Sequence, residues 1–561
     1  MGVKRSRISH GKMEMAGDSE AEMESNNSSR NWTSCAVVAC LIYLPLLVLL
    51  VGAYRKPSLE WLRSVGFTAE TALSFECSGL RSASSSPPLP EPVKDKLLGG
   101  LLTPGFDESS CLSRYQSVLY RKASPYIPSP YLVDRLRKYE ALHKKCGPNT
   151  ELYNKSIEQL KSGRSTGPSE CNYVVWIPYN GFGNRVLTIV SAFLYALLND
   201  KVLLVHVPED FADLLCEPFP ETSWALPKDF PVEKLENLEV RTPESYGNML
   251  RSGVIKNDMR FAANLTLPAY VYLHLSHDYS SLDKIFFCED AQQMLRKLPW
   301  LLLKSDNYFV PALFLVEEYE EELRRLFPER ETVFHHLGRY LLHPTNVVWG
   351  YVTRYYQVYL AKAYEMVGIQ IRIFQHAPVS FDTMLNQIIN CSRKENLLPA
   401  VNLEEPGVPP KNAREKAVLV TTLYSGYFDR LRNMYYEHST ATGEVIGVYQ
   451  PSHEEQQHTD HQNHNIKAWA EINLLSFSDA LVTTACSTFG YVAQGLGGLK
   501  PWIIPRPAER NQDCLRGSSM EPCFHSPPSY DCKAHKDVDK GAVVRHVRHC
   551  EDLDSGLKLF D

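Results

Sequence analysis

Apolar positions along the chain fall into short continuous runs separated by turn-forming residues. Tyr173-Val-Val-Trp-Ile177 is short and rich in β-branched residues, which predicts a buried strand. Pro178 to Arg185 reads as a turn, and VLTIVSAFLYALLND after it is long enough for a helix. Lys201-Val-Leu-Leu-Val-His-Val207 follows at once as a second strand, giving the order of a parallel-sheet unit. The pattern recurs late in the chain: strand Ala480–Thr484, turn Cys486–Gly490, helix YVAQGLGG, strand Lys500–Ile504. Val367–Phe374 and Ala417–Leu423 read as further buried strands. Two α/β halves, each with a Gly-containing turn at a helix start, predict a pair of Rossmann-like domains facing a cleft.

The N-terminal pattern is different. Residues 1–30 are polar and predict a disordered tail. CAVVACLIYLPLLVLLVGAY, residues 35–54, is uncharged. At about 1.5 Å per helical residue, ~20 residues cross a bilayer core of ~30 Å. The run is longer than a signal-peptide core and some thirty residues precede it, so an anchor is the better reading. Lys4, Arg5, Arg7, Lys12 and Arg30 before it, against Arg55, Lys56 and Arg63 after it, lean toward a cytosolic N-terminus. Ser- and Pro-rich residues 55–95 then predict a stem, and folding begins near Lys94.

A net charge of −6 with scattered Lys and Arg offers no basic face for nucleic acid. Twelve of the fourteen cysteines lie beyond the anchor without a zinc-type spacing, so they read as disulfide candidates whose pairing stays open. Asn154, Asn264 and Asn390 begin N-glycosylation triplets, which fits a lumenal position.

Candidate chemistry sits at the turns. Gly181-Phe-Gly-Asn-Arg185 opens a helix, where free N–H groups attract an anion; an ordinary tight turn explains it equally well. Arg372 lies in an apolar strand, IQIRIF, where burial needs a partner: a diphosphate or an internal carboxylate. Ser487-Thr-Phe-Gly-Tyr491 either caps a helix or binds phosphate oxygens. Glu471 is a ribose or guanine acceptor, or a solvated helix residue. Asp306 ends an apolar run, as an acceptor-side base or as a turn residue, with His277 and Asp278 as alternatives. His458, His461 and His464 sit in a hydrophilic stretch with Asp460, a poor setting for a metal. Asp537-Val-Asp539 and Asp552-Leu-Asp554 read as solvated, because their surroundings are charged.

From about Lys94 onward the chain resembles the plant xyloglucan-type galactoside 2-alpha-L-fucosyltransferases. The resemblance rests on long stretches: DKLLGGLLTPGFDESSCLSRYQSVLYRK from Asp95, FGNRVLTIVSAFLYALL from Phe182, LCEPFPETSW from Leu215, HLGRYLLHPTNVVWG from His336, STFGYVAQGLGGLKPW from Ser487 and MEPCFHSPPSYDCK from Met520. It implies a variant of the two-Rossmann (GT-B-like) glycosyltransferase fold, GDP-fucose as donor, inversion, and no required metal or other cofactor. It implies Arg372 as the pyrophosphate-binding arginine. Gly183, Asn184 and Arg185 match the first donor-side turn, and Ser487, Thr488, Phe489 and Gly490 the late donor motif, beside Tyr491 and Glu471. Asp306 matches an acceptor-side Asp. Phe182 stands where Leu is common and Cys486 where Trp is common. The expected layout is a tail (1–30), an anchor (31–54), a stem (55–95), an acceptor-side domain (96–345) and a GDP-fucose-binding domain with a Cys-rich end (346–561). The expected setting is the Golgi membrane as a single-pass type II protein with a lumenal catalytic domain. The expected partners are GDP-fucose, a galactosylated cell-wall polysaccharide or proteoglycan, and a second copy of the chain.

Overall fold

The computed structural model describes residues 94–165, 169–257, 267–408, 413–506 and 512–561. The tail, anchor, stem and Asn264 lie outside the described residues. Glu91–Asp561 folds as one compact unit whose described residues form a four-stranded sheet, a six-stranded sheet and three two-stranded ones.

The first sheet contains β1 (Tyr173–Ile177), β2 (Val202–Val205), β3 (Tyr270–His274) and β4 (Trp300–Lys304) in the order β2-β1-β4-β3, all parallel. All five β1 residues are buried, which is why that run is continuously apolar rather than alternating. The second sheet is built of β5 (Glu365–Ile371), β6 (Glu415–Thr422), β7 (Val445–Tyr449), β8 (Ala480–Thr484), β9 (Trp502–Ile504) and β10 (Leu515–Arg516). Its order is β10-β9-β8-β5-β6-β7, with only β10 antiparallel. β1 and β4 flank the point where strand order reverses in the first sheet; β5 and β8 do so in the second. Ligands of open α/β sheets bind at the carboxyl ends of such strands.

Three helices frame that region: α1 (Phe182–Leu198), α2 (Gln462–Leu475) and α3 (Thr488–Gly497). α1 has 14 buried residues on all its faces, because it packs on the first sheet and also against α3. Its first residue, Phe182, meets Trp469 of α2 at 5.7 Å between ring centroids. Arg339 donates to the Leu496 carbonyl at the end of α3, and Arg121 to Asn473 and Ser476 at the end of α2. Both cations thus sit where a helix dipole is negative.

The C-terminal segment does not stay with the second sheet. Cys288–Cys532 ties it to the first half, and Phe524 packs near Phe287. Buried Glu521 accepts from the Tyr308 hydroxyl at 2.7 Å and the Phe334 N–H at 2.7 Å. Cys111–Cys216, Cys146–Cys171, Cys391–Cys514 and Cys523–Cys550 complete five disulfides among the described residues, where Cys486 is buried outside any disulfide. Asn154 and Asn390 are exposed.

Candidate active site

One cavity opens at the carboxyl ends of β5 and β8, against the start of α1. Three backbone features build it. The first is the N-terminus of α1. The sequence places Gly183, Asn184 and Arg185 in a turn, but the helix already begins at Phe182, so these residues form its first turn. No side chain caps Gly181, and Gly181 to Asn184 line the cavity. Arg185 does not line it: the guanidinium pairs with Asp210 and the Asn180 carbonyl.

The second feature is the N-terminus of α3. Ser487 occupies the N-cap position but its hydroxyl makes no cap bond, so the helix-start N–H groups remain available. Ser487, Thr488 and Phe489 line the cavity; Gly490 and Tyr491 do not. Gly490 is there for packing, since a Cβ would lie 2.0 Å from Thr483 Oγ1. The two helix starts abut. Thr488 Oγ1 donates to Asn184 Oδ1 at 2.8 Å, and a Cβ on Gly183 would fall 2.6 Å from Thr488 Oγ1 and 2.9 Å from the Phe489 nitrogen. Gly183→Ala is therefore expected to push the helices apart. We expect a loss of about 1–3 kcal/mol in stability together with a raised donor KM, read from thermal melts and initial rates. An unchanged melting temperature and KM would mean the helices do not need this approach.

The third feature is Arg372, immediately after β5. Its N–H donates to Thr484 Oγ1 at 2.9 Å, and its guanidinium reaches Gln457 and lies 5.5 Å from the Phe374 ring centroid. Among the described residues no carboxylate pairs with it, so the internal ion pair that the sequence left open is absent. Burial holds its pKa below the ordinary arginine value. A partly desolvated guanidinium between two uncapped helix starts is a site for an anion.

Glu471 is buried rather than solvated, and accepts from Ser452 Oγ at 2.5 Å. Burial pushes its pKa up to about 8. Glu521, equally buried, is also pushed up to about 8. Each binds a proton in the folded chain that the unfolded chain has released above its ordinary pKa of ~4.5. Stability therefore falls as pH rises from about 4.5 to 8. Melting temperature is expected to drop over pH 5–8, and to drop less steeply in Glu471→Gln; parallel curves for the two proteins would contradict this.

Asp306 does not line this cavity, and it is not a free base. Its Oδ1 accepts from the His277 N–H (2.9 Å) and Asn307 Nδ2 (2.9 Å); its Oδ2 accepts from Asn180 Nδ2 (2.7 Å) and contacts His277 Nδ1 (2.5 Å). Its backbone carbonyl accepts from Asn184 at 3.2 Å, which links it to the cavity. Asp306 thus orients the more exposed His277 ring. Asp278 instead holds His274 Nε2 at 2.8 Å. Burial, the largest single influence, would raise the Asp278 pKa, but the hydrogen bond and charge of His274, with a backbone hydrogen bond and the charge of His277, together lower it.

Several cavity residues escaped the sequence reading. Thr421 Oγ1 and Asn465 Oδ1 are buried in its wall with no hydrogen-bond partner among the described residues. The position of Thr421 at the carboxyl end of a buried strand was the available signal. His525 lines the cavity from the distant Cys-rich segment, with no local signal at all. The Asp552 triplet also requires correction: Asp552 is buried, accepting from the Tyr491 hydroxyl (2.6 Å) and the Cys486 N–H (2.8 Å), whereas Asp537, Asp539 and Asp554 are exposed as expected. His458 stacks on His461 and meets His464 edge to face, and among the described residues they form no converging ligand set.

The xyloglucan fucosyltransferase family model matches residues 74–533. The chain belongs to that family. It is 56% identical to a galactoside 2-alpha-L-fucosyltransferase of Pisum sativum over 480 residues, covering 84% of this chain and 83% of the relative. It is 51% identical to the galactoside 2-alpha-L-fucosyltransferase of Arabidopsis thaliana over 525 residues, 93% of this chain and 91% of the relative. A solved structure of a mutant Arabidopsis thaliana FUT1 in complex with GDP superposes with a TM-score of 0.76 at 54% identity, covering 83% of this chain and all of that one. The α/β fold of this family member is thus that of a known fucosyltransferase.

Proposed function

We propose that the chain is a galactoside 2-alpha-L-fucosyltransferase that moves L-fucose from GDP-fucose to the 2-hydroxyl of a galactose on a cell-wall polysaccharide such as xyloglucan. The observation that carries this reading is Arg372, which has no carboxylate partner among the described residues and stands between two uncapped helix N-termini. Family membership supplies the sugar chemistry. The diphosphate lies across Arg372, Gly183, Asn184 and Ser487 to Phe489. Glu471, with Thr421 and Asn465 nearby, takes polar groups of the nucleoside. Arg185, Gly490 and Tyr491 act through packing and hydrogen bonding rather than by touching the donor.

In the reaction the acceptor oxygen attacks the anomeric carbon from the face opposite the departing GDP, with inversion. Negative charge grows on the diphosphate as the bond breaks. The fixed N–H groups and the guanidinium stabilise that charge without having to reorganise. His277 Nε2 receives the acceptor proton, and Asp306 orients the ring. The donor-binding half spans 346–561 and the acceptor-side half 96–345, with His525 reaching the donor cavity from the C-terminal segment. The anchor places the chain in the Golgi membrane as a type II protein, and a homodimer is the working assembly.

No Asp-x-Asp triplet follows a buried strand, so transfer is expected to survive EDTA. Loss of turnover with EDTA and recovery with Mn²⁺ would overturn metal independence. The acceptor is tested with a panel of xyloglucan, arabinogalactan protein and pectic side-chain oligosaccharides, followed by linkage analysis. Fucose appearing chiefly on xyloglucan galactose is expected; transfer only to one of the others would move the assignment to that acceptor.

A further inference from the structure

His525 enters the donor cavity from a segment that is remote in sequence and pinned to the first half of the fold. Behind it lies a short buried chain of hydrogen bonds. His525 Nε2 is 3.2 Å from the Tyr491 hydroxyl, which is 2.6 Å from Asp552 Oδ2. The same carboxylate oxygen holds the Cys486 N–H at 2.8 Å, one residue before the α3 N-cap. Tyr491 is buried, and burial raises its pKa well above the ordinary value, so it keeps its proton. A phenol has one proton, and Asp552 is the stronger acceptor. Tyr491 therefore donates to Asp552 and accepts from His525 Nε2–H. This fixes the tautomer and leaves Nδ1 as the nitrogen that can act in the cavity.

The groups that bear on this imidazole come from every side. Asp552, Tyr491 and Cys486 lie behind it, Asp306 faces it from the β4 loop, and Arg506 from the segment after β9. Arg372 lines the same cavity. Burial lowers the pKa of His525, with Arg506 acting in the same direction and the two aspartates against it. A bound diphosphate adds negative charge on the Nδ1 side and favours the imidazolium.

We propose that His525 is a catalytic residue that hydrogen-bonds the donor diphosphate through Nδ1–H and gives that proton to it as GDP departs, with Tyr491 and Asp552 as positioning residues. The bond between the anomeric carbon and the β-phosphate oxygen breaks, and its electron pair leaves with the oxygen. The His525 proton neutralises that charge. The acceptor oxygen bonds the anomeric carbon, and its proton passes to His277. Solvent exchange after GDP release returns both imidazoles to their starting states. The proposal rests on reading this cavity as the GDP-fucose site.

The test uses the full-length chain in detergent, by calorimetry with GDP-fucose and no acceptor, in buffers of differing ionisation enthalpy at pH 7. Both phosphates of GDP-fucose are esterified and do not titrate near neutrality. Wild type is expected to take up more protons on binding than His525→Gln, the difference excluding any proton released by Glu471. Turnover in His525→Gln is expected to fall about 10²-fold or more, with acceptor KM unchanged. Tyr491→Phe removes the Nε2 acceptor and destabilises the imidazolium. The high-pH limb of its kcat profile should move to lower pH, which a merely structural role would not produce. His525→Asn, which carries an uncharged donor near the Nδ1 position, covers the case in which the Gln variant does not fold. Equal proton uptake with near-wild-type turnover in either folded variant overturns the proposal. GDP-fucose that fails to bind wild type, or binds Arg372→Lys equally well, overturns the reading of the cavity itself.

Discussion

Arg372→Lys is expected to lower turnover about 10²–10³-fold in a chain that still folds. The arginine backbone N–H, not the side chain, makes the structural bond to Thr484, so the substitution leaves that contact intact. What changes is the head group. A planar fork spans two phosphate oxygens, whereas an ammonium is a point charge that meets one. No carboxylate among the described residues competes for the guanidinium, so the donors not held by Gln457 are available to the diphosphate. Circular dichroism should overlay with wild type. A variant with near-normal kcat would remove Arg372 from the reaction.

The next largest effect is expected at the Asp306–His277 pair, which Asn184 links to the cavity. His277→Ala should cost about 10²-fold in kcat with donor affinity unchanged, since the imidazole acts on the acceptor and not on the nucleotide. The His277 side chain is 59% exposed while the Asp306 side chain is 6% exposed. Imidazole added to the solution should therefore reach the vacated position and restore part of the rate. Asp306→Ala should slow turnover less than His277→Ala, because the ring remains and loses only its orientation. It also leaves Asn180, Asn307 and the His277 N–H without their acceptor, so a fall in stability accompanies the slower rate. A larger kcat loss in Asp306→Ala than in His277→Ala would return the role of base to the carboxylate.

Much of this arrangement was legible in the sequence, for reasons that differ by element. β1 was read to the residue because a strand buried on both faces is continuously apolar, and β8 because its short Ala-Leu-Val-Thr-Thr run is bounded by a turn. The strand through Arg372 was read too long: it ends at Ile371, and Arg372 begins the loop that faces the ligand. The α1 start was read late because Gly183 and Asn184 have low helix propensity, whereas the structure needs a glycine where two helices touch. Asp306 was found, but the hydrogen bonds that saturate it come from Asn180, His277 and Asn307 through folding, which no local pattern reports. The Asp552–Tyr491–His525 chain was invisible, because it joins an Asp near the C-terminus to a helix and a loop that no local pattern relates. Burial of Asp552 amid charged neighbours is a tertiary outcome that composition does not report.

The central claim is that the cavity at the two helix starts holds a diphosphate. Its most direct measure is the affinity of the full-length chain for GDP against guanosine, compared between wild type and Arg372→Lys. Charge-assisted hydrogen bonds contribute about 1.5–3 kcal/mol each, so two or more predict GDP binding at least ~10²-fold tighter than guanosine. Most of that margin should disappear in Arg372→Lys while guanosine affinity stays constant. Equal affinity of wild type for GDP and guanosine would contradict the account.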